Sequence, residues 1–369
     1  MPRLSADGDR GAVSSIVVML MATGVLLGMT AMVVDVGQLY AEREELQSGA
    51  DSAAMTVALD CVKRRSACTT QALAKAENVA DANAGDGRAN IEELCGRDNR
   101  WTVPTCLPDG TVNLADCIGN VRAGVNYVQV RTRTEVATDE FVLPFAFAQS
   151  MAGIGEGATV GACSRVAYGP PRLELGLTIS ACEYERTRGN TVAGPPWPPD
   201  PPAHREVQLG DHDHTAHFCG AAPPPAGWGW PNDVGMFDNT DGRCFTQVEA
   251  DLTYDGNDTH LPSLECRNRL AQLRSSRQVI ALPVIDGERG SGSSTRYHLY
   301  RLAAFVVTGY SMHGFHAPST VSSGFGDCDP LDPHEVCIFG YFIDLDFLPG
   351  EVGPDPGIDL GLLAIKTIG

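Results

Sequence analysis

Residues 10–59 read RGAVSSIVVMLMATGVLLGMTAMVVDVGQLYAEREELQSGADSAAMTVAL, and the rest of the chain is organised around them. No charged residue stands between Arg10 and Asp35. Residues 12–34 are 23 positions, and at about 1.5 Å per residue a helix of that length covers about 34 Å. A bilayer core is about 30 Å thick, so the segment spans it with a little tilt. The helical pattern continues past the span. Val36, Leu39, Tyr40, Leu46, Ala50, Ala53, Ala54 and Val57 keep helix spacing while charge appears between them. One long helix that leaves the bilayer as an amphipathic stalk is the expectation.

A cleaved secretory signal is the competing reading. Signal h-regions run about 7–15 residues and end in a small-x-small site. This segment is longer, and no A-x-A stands near its end, none occurring between residues 12 and 71. Arg3 and Arg10 favour a cytoplasmic N-terminus, whereas Arg43, Lys63, Arg64 and Arg65 stand on the other side, beyond the first turns. The cysteines decide for N-in, C-out. Cys61, Cys68, Cys95, Cys106, Cys117, Cys163, Cys182, Cys219, Cys244, Cys266, Cys328 and Cys337 make twelve, none in a C-x-x-C pair. An even count at wide spacing suits disulfides in an oxidising compartment, with connectivity left open.

The order of Arg10-Gly11, an apolar span, Asp35-Val36-Gly37, Leu39-Tyr40, Arg43, Leu46-Gln47, Ala50-Asp51 and Ala53-Ala54 resembles the N-terminal segment of Flp pilus-assembly proteins of the TadE/TadG-like family. The stretch Phe141–Tyr168 is similar to that family's helix, glycine turn and alanine-rich strand, and the C-terminal half resembles the uncharacterised region of longer TadG-like proteins. The resemblance implies docking on other pilus-assembly membrane proteins or Tad-like subunits through Gly24, Gly28, Asp35, Gly37, Leu39, Tyr40, Arg43 and Leu46. Two features depart from relatives. Ile16 stands where a pilin-type peptidase site places Glu, and no D-x-S-x-S metal motif occurs.

Composition sets the outer bounds. With 43% hydrophobic and 20% charged residues the chain can bury a core. A net charge of −19 argues against nucleic acid as a partner. Gly24 and Gly28 form a G-x-x-x-G, which lets a second helix approach closely in a membrane. Asp35 reads as the first hydrated position beyond the span. Residues 61–84 stay helix-like, with Ala72, Leu73, Ala76, Val79 and Ala80 on one face. Tyr127–Val136 alternates as a half-exposed strand, with Gln129, Arg131, Arg133 and Glu135 outward. A short helix at 141–151 and a strand at 158–168 complete a small unit. Gly169-Pro170-Pro171 marks a boundary, after which a strand is expected at 173–183. The proline runs 195–202 and 223–225 read as stiff, extended loops. Strands are then expected at 278–286, 297–310 and 336–347.

The expected class is α+β, in four parts. These are a cytoplasmic tail at 1–10, a transmembrane helix at 11–34, a stalk and α+β Tad-like domain at 35–169, and a disulfide-supported β domain (sandwich or barrel) at 170–369.

For chemistry, Asp211-His212-Asp213-His214 with His217 offers imidazoles and carboxylates to a divalent metal, but in no closed structural spacing. Asp327, Asp329, Asp332 and Glu335 offer oxygen ligands without the EF-hand loop pattern. There is no G-x-S-x-G, no P-loop, and no G-x-G-x-x-G between a strand and a helix. The expectation is therefore non-catalytic and without a cofactor: an accessory or minor component of Flp-type pilus assembly or a related secretion apparatus in a bacterial plasma membrane. The alternative is an envelope or surface module that binds a metal or glycan and shares only the anchor.

Overall fold

The structure, a computed structural model, describes residues 9–63, 71–98, 104–107, 117, 120–138, 140–148, 157–173, 175, 177–187, 192–193, 205–210, 228–231, 244, 253–257, 264–289, 295–312, 314–326, 328, 331, 337–354 and 359–369. The first half contains α1 (Asp9–Lys63), α2 (Ala72–Asn83), β1 (Ala89–Arg97), β2 (Asn126–Thr134), β3 (Leu143–Pro144), β4 (Gly157–Ala158) and β5 (Gly161–Gly169). Next come β6 (Thr178–Ser180), α3 (Ala181–Thr187), β7 (Val192–Ala193), β8 (Val207–Gly210), β9 (Trp228–Pro231) and β10 (Thr253–Asn257). The last third holds α4 (Leu264–Ser276), β11 (Val279–Arg289), β12 (Thr295–Met312), β13 (Phe315–Ala317), β14 (Cys337–Asp344), β15 (Phe347–Pro349) and β16 (Leu363–Thr367). The class is α+β, with a long apolar N-terminal helix and a mostly β, cysteine-bearing C-terminal region.

Helix α1 is continuous over 55 residues and has two environments. Its C-terminal half is a core helix. Ala53, Ala54, Val57, Ala58 and Cys61 pack with Ala72 and Ala76 of α2 against Val128, Val130, Val166 and Tyr168 of the sheet. Small residues permit this closeness; a Cβ at Gly49 would stand 3.3 Å from the Ala80 backbone. In α2 the buried residues are Ala72, Ala76 and Ala80, whereas Leu73, expected on the same face, is 47% exposed. The i, i+4, i+8 alanines set the contact stripe, and Leu73 falls beside it.

The first sheet runs β1-β2-β5-β16-β15. Strand β2 is covered on both faces, not half-exposed. Gln129 is buried because its side chain accepts from Arg165 Nε and Nη2 at 3.0 and 2.6 Å. Strands β2 and β5 are thus joined by a polar pair as well as by the ladder. No α-helix occurs over 141–148, the described part of the helix expected at 141–151; residues 143–144 pair with 157–158 instead, and a 3₁₀ residue stands at Ala148. Pro144 lacks the N–H that a helix interior needs.

The second sheet is ordered β10-β9-β6-β11-β12-β14-β7, and β10 also pairs with β12. Strands β6, β11, β12, β10 and β9 therefore close a circuit. The hairpin β11–β12 is buried on both faces. On one side Phe305 and Val307 meet Leu270 and Leu273 of α4; on the other Ala304 and Val306 meet Leu348, Leu360 and Leu362. Helix α4 was not legible, since only Cys266, Leu270 and Leu273 are buried on it. The strand expected at 173–183 shrinks to β6 and gives way to α3.

The strand pairing does not follow the linear split at residue 170. Strand β16 returns to pair with β5, and Pro171 bridges Val352. Bonded cysteine pairs are Cys95–Cys106, Cys117–Cys163, Cys244–Cys266 and Cys328–Cys337, and Cys61 and Cys182 are also in disulfides. Cys68 and Cys219 lie outside the described residues, as do both proline runs.

Candidate functional site

Residues 13–34 of α1 form the outer half of the site. None of the residues in its most apolar window is buried by the protein. Its two threonine hydroxyls are satisfied locally. Thr23 Oγ1 donates to the Met19 and Leu20 carbonyls at 2.9 and 3.0 Å, and Thr30 Oγ1 to the Leu26 carbonyl at 2.8 Å. Such back-bonding lets a hydroxyl face hydrocarbon without water. Among the described residues this is one helix long and apolar enough to cross a membrane.

The helix meets the rest of the protein at Asp35, which is 3% exposed. Its Oδ1 accepts from the backbone N–H of Ala146 and Phe147 at 2.7 and 3.1 Å, and its Oδ2 from Phe147 and Ala148 at 3.2 and 2.6 Å. Three consecutive N–H groups converging on one carboxylate form an anion-binding nest of charge-assisted bonds. Asp35 is thus a clamp between helix and loop, correcting its reading as a merely hydrated position. The signal available in sequence was the distant, charge-free stretch 141–155, whose backbone needs acceptors.

At about 100° per residue, the expected docking residues divide between two faces. Gly24, Gly28, Asp35, Leu39 and Leu46 fall on one stripe, the side on which the folded domain sits. Gly37 and Tyr40 lie opposite, with Arg43 between. Leu46 is 1% exposed, packed among Ala80, Ala89 and Ala162, and its carbonyl accepts from Thr132 Oγ1 at 3.0 Å. It serves the core and is not a free docking residue. Leu39 is half-buried, Tyr40 is exposed, and Gly24 and Gly37 each face open space.

Two turns beyond Asp35 on the same stripe, Glu42 is held above the ordinary carboxylate range. Burial is the main cause, with a bond to Thr134 opposing it and the Asp86 and Glu45 charges adding to it. Ten residues beyond Asp35, in the core half of α1, Glu45 Oε2 accepts from the Gly85 N–H at 2.6 Å and ties α1 to the end of α2.

A second feature lies where β12 passes from β10 to β14. A cleft of about 310 Å³ is lined by Tyr184, Arg301, Phe342, Asp344, Asp346 and Gly361 among others. The Arg301 guanidinium lies over the Tyr184 ring, 4.9 Å from its centroid. Gly361 (φ +81°) makes room for it, since a Cβ there would stand 2.8 Å from Arg301 Nη2. His212, His214 and His217 lie outside the described residues, as do Asp327, Asp329, Asp332 and Glu335. Among the described residues no three metal-ligating side chains converge.

Residues 11–60, nearly all of α1, match the family described as putative Flp pilus-assembly TadE/G-like. No curated protein and no solved structure matches the chain.

Proposed function

We propose that this protein is a non-catalytic, membrane-anchored component of a Flp-type pilus-assembly or related secretion apparatus. Its N-terminus is cytoplasmic and its disulfide-bearing bulk lies outside the plasma membrane. The observation that carries the reading is the match over residues 11–60, which coincides with a helix whose apolar half is unburied and whose other half is domain core. Gly24 and Gly28 sit on the stripe that continues through Asp35 into that core, so a partner helix packing there acts directly on the ectodomain. Several described disulfides accord with an oxidising compartment.

The test is a mild-detergent pull-down from native membranes, read by mass spectrometry, comparing wild type with Gly24→Leu/Gly28→Leu. Pilus-assembly membrane proteins are expected with the wild type and depleted with the variant. Recovery of envelope proteins alone, unchanged in the variant, would overturn the assembly role.

The cleft at Arg301 favours a second reading, an envelope module that shares the anchor. An arginine, two carboxylates and aromatic rings suit sugar hydroxyls. Glycan binding by the full chain, lost in Arg301→Leu, supports it; a blank glycan array removes it.

A further inference from the structure

We propose that residues 141–148 (FVLPFAFA) form an interfacial membrane element, clipped by Asp35 so that Val142 and Phe147 enter the edge of the bilayer crossed by α1. The proposal rests on α1 being a membrane span and is independent of any role in pilus assembly.

Position comes first. Every Cα–Cβ bond in a helix tilts toward the N-terminus, so a side chain covers the turn before its own Cα. The Asp35 carboxylate therefore lies level with residues 31–34, the last turn of the uncharged span. The N–H groups of Ala146, Phe147 and Ala148 touch it at 2.6–3.2 Å, which fixes this loop at the same depth.

Composition agrees with that depth. Residues 141–155 carry no charge, and Val142 and Phe147 are each 51% exposed. Large apolar side chains left exposed on one short loop mark an interaction surface, and Asp35 holds this loop against the last turn of the span. Aromatic residues at a span's end sit at the membrane–water boundary.

The backbone is prepared for low water as well. A loop at this depth needs its polar groups satisfied within the protein. Asp35 takes three N–H groups, β3 pairs with β4, and Thr159 Oγ1 donates to the Phe141 carbonyl at 2.8 Å. Arg133 lies 3.5 Å above the Phe141 ring, placing a long cationic side chain at the rim, where lipid headgroups lie.

The experiment uses the full chain in nanodiscs whose lipids carry a spin-label quencher either near the headgroup or deep in the acyl chain. Tryptophan is introduced as Phe147→Trp, Met21→Trp or Tyr300→Trp, and the emission of the four native tryptophans is subtracted using wild type. Met21→Trp reports the span alone, through quenching by the deep label. Phe147→Trp is expected to emit to the blue and to be quenched by the shallow label. Tyr300→Trp, on β12, answers only to aqueous iodide. Adding Asp35→Ala to Phe147→Trp is expected to bring loss of lipid quenching as the clip opens. Quenching of Phe147→Trp by iodide but by neither lipid label overturns the proposal. Shielding from both lipid and iodide also overturns it, because a protein partner then covers the loop. Failure of Met21→Trp to meet the deep label removes the span itself.

Discussion

Asp35 shows how a residue's chemistry is decided by groups far away in sequence. A carboxylate that accepts from three backbone N–H groups stabilises the fold by more than a neutral bond would. Asp35→Ala strands those donors and is expected to cost about 1.5–3 kcal/mol, the range for bonds to a charged group; Asp35→Asn should cost less. Urea unfolding in detergent, followed by near-UV dichroism, reads both. Glu42 gives the pH arm of the account. Its folded pKa is raised, so between the ordinary value near 4.5 and the raised one the native state holds a proton the unfolded chain has lost. Stability then falls as pH rises through that window, and the cost is complete above it. Glu42→Gln is expected to raise the melting temperature at neutral pH and to leave it unchanged at acid pH below the carboxylate range. A gain that is equal at both pH values contradicts the assignment. At this scale the sequence located Asp35 at the end of the apolar run, because an acid after such a run is visible. It could not show the loop donors, which stand 111 to 113 residues away.

At the scale of the element, α1 owes its double character to a change of partner along one unbroken helix. Its first half leaves apolar side chains unburied by the protein; its second half meets a sheet through alanines and glycine. Gly49→Leu places a branched side chain where even a Cβ comes within 3.4 Å of Ala80 O. Overpacking of this kind costs about 1–3 kcal/mol, and thermal melts of the full chain should register it. The helix was legible because its apolar spacing persists past Asp35. The hairpin β11–β12 was legible because its Val, Ile, Leu and Phe runs are long. Helix α4 was hidden by a polar sequence with three buried positions, and β6 by the capping turn at Ser180, whose Oγ accepts from the Glu183 N–H at 3.0 Å and starts α3. The half-exposed reading of β2 failed because alternation does not reveal that Arg165 covers Gln129.

For the whole molecule, the two sheets are joined by chain that returns, not by a linker. Residues 170–172 run beside 351–353, with Arg172 N–H bonded to the Glu351 carbonyl at 3.0 Å and Gly353 N–H to the Pro170 carbonyl at 2.8 Å. Strand β16 then closes onto β5. Nothing local at 363–367 announces that pairing, since register between strands two hundred residues apart is a tertiary fact. The cysteines act at the same scale. Cys117–Cys163 closes a loop of separation 46, worth up to roughly 4 kcal/mol in lost unfolded-state entropy. Cys117→Ser/Cys163→Ser should lower the midpoint of unfolding accordingly, while an unchanged midpoint would show that the covered loop is already ordered by other contacts. The central claim is that one rigid helix serves as anchor and as domain core, joined without a hinge at Asp35. Hydrogen exchange of the full chain in nanodiscs tests it most directly, read across residues 33–47. The account predicts slow, continuous exchange through the junction, where water is present but the helix is clamped. Fast exchange confined to residues 35–41, between two protected flanks, would mean a hinge and would contradict it.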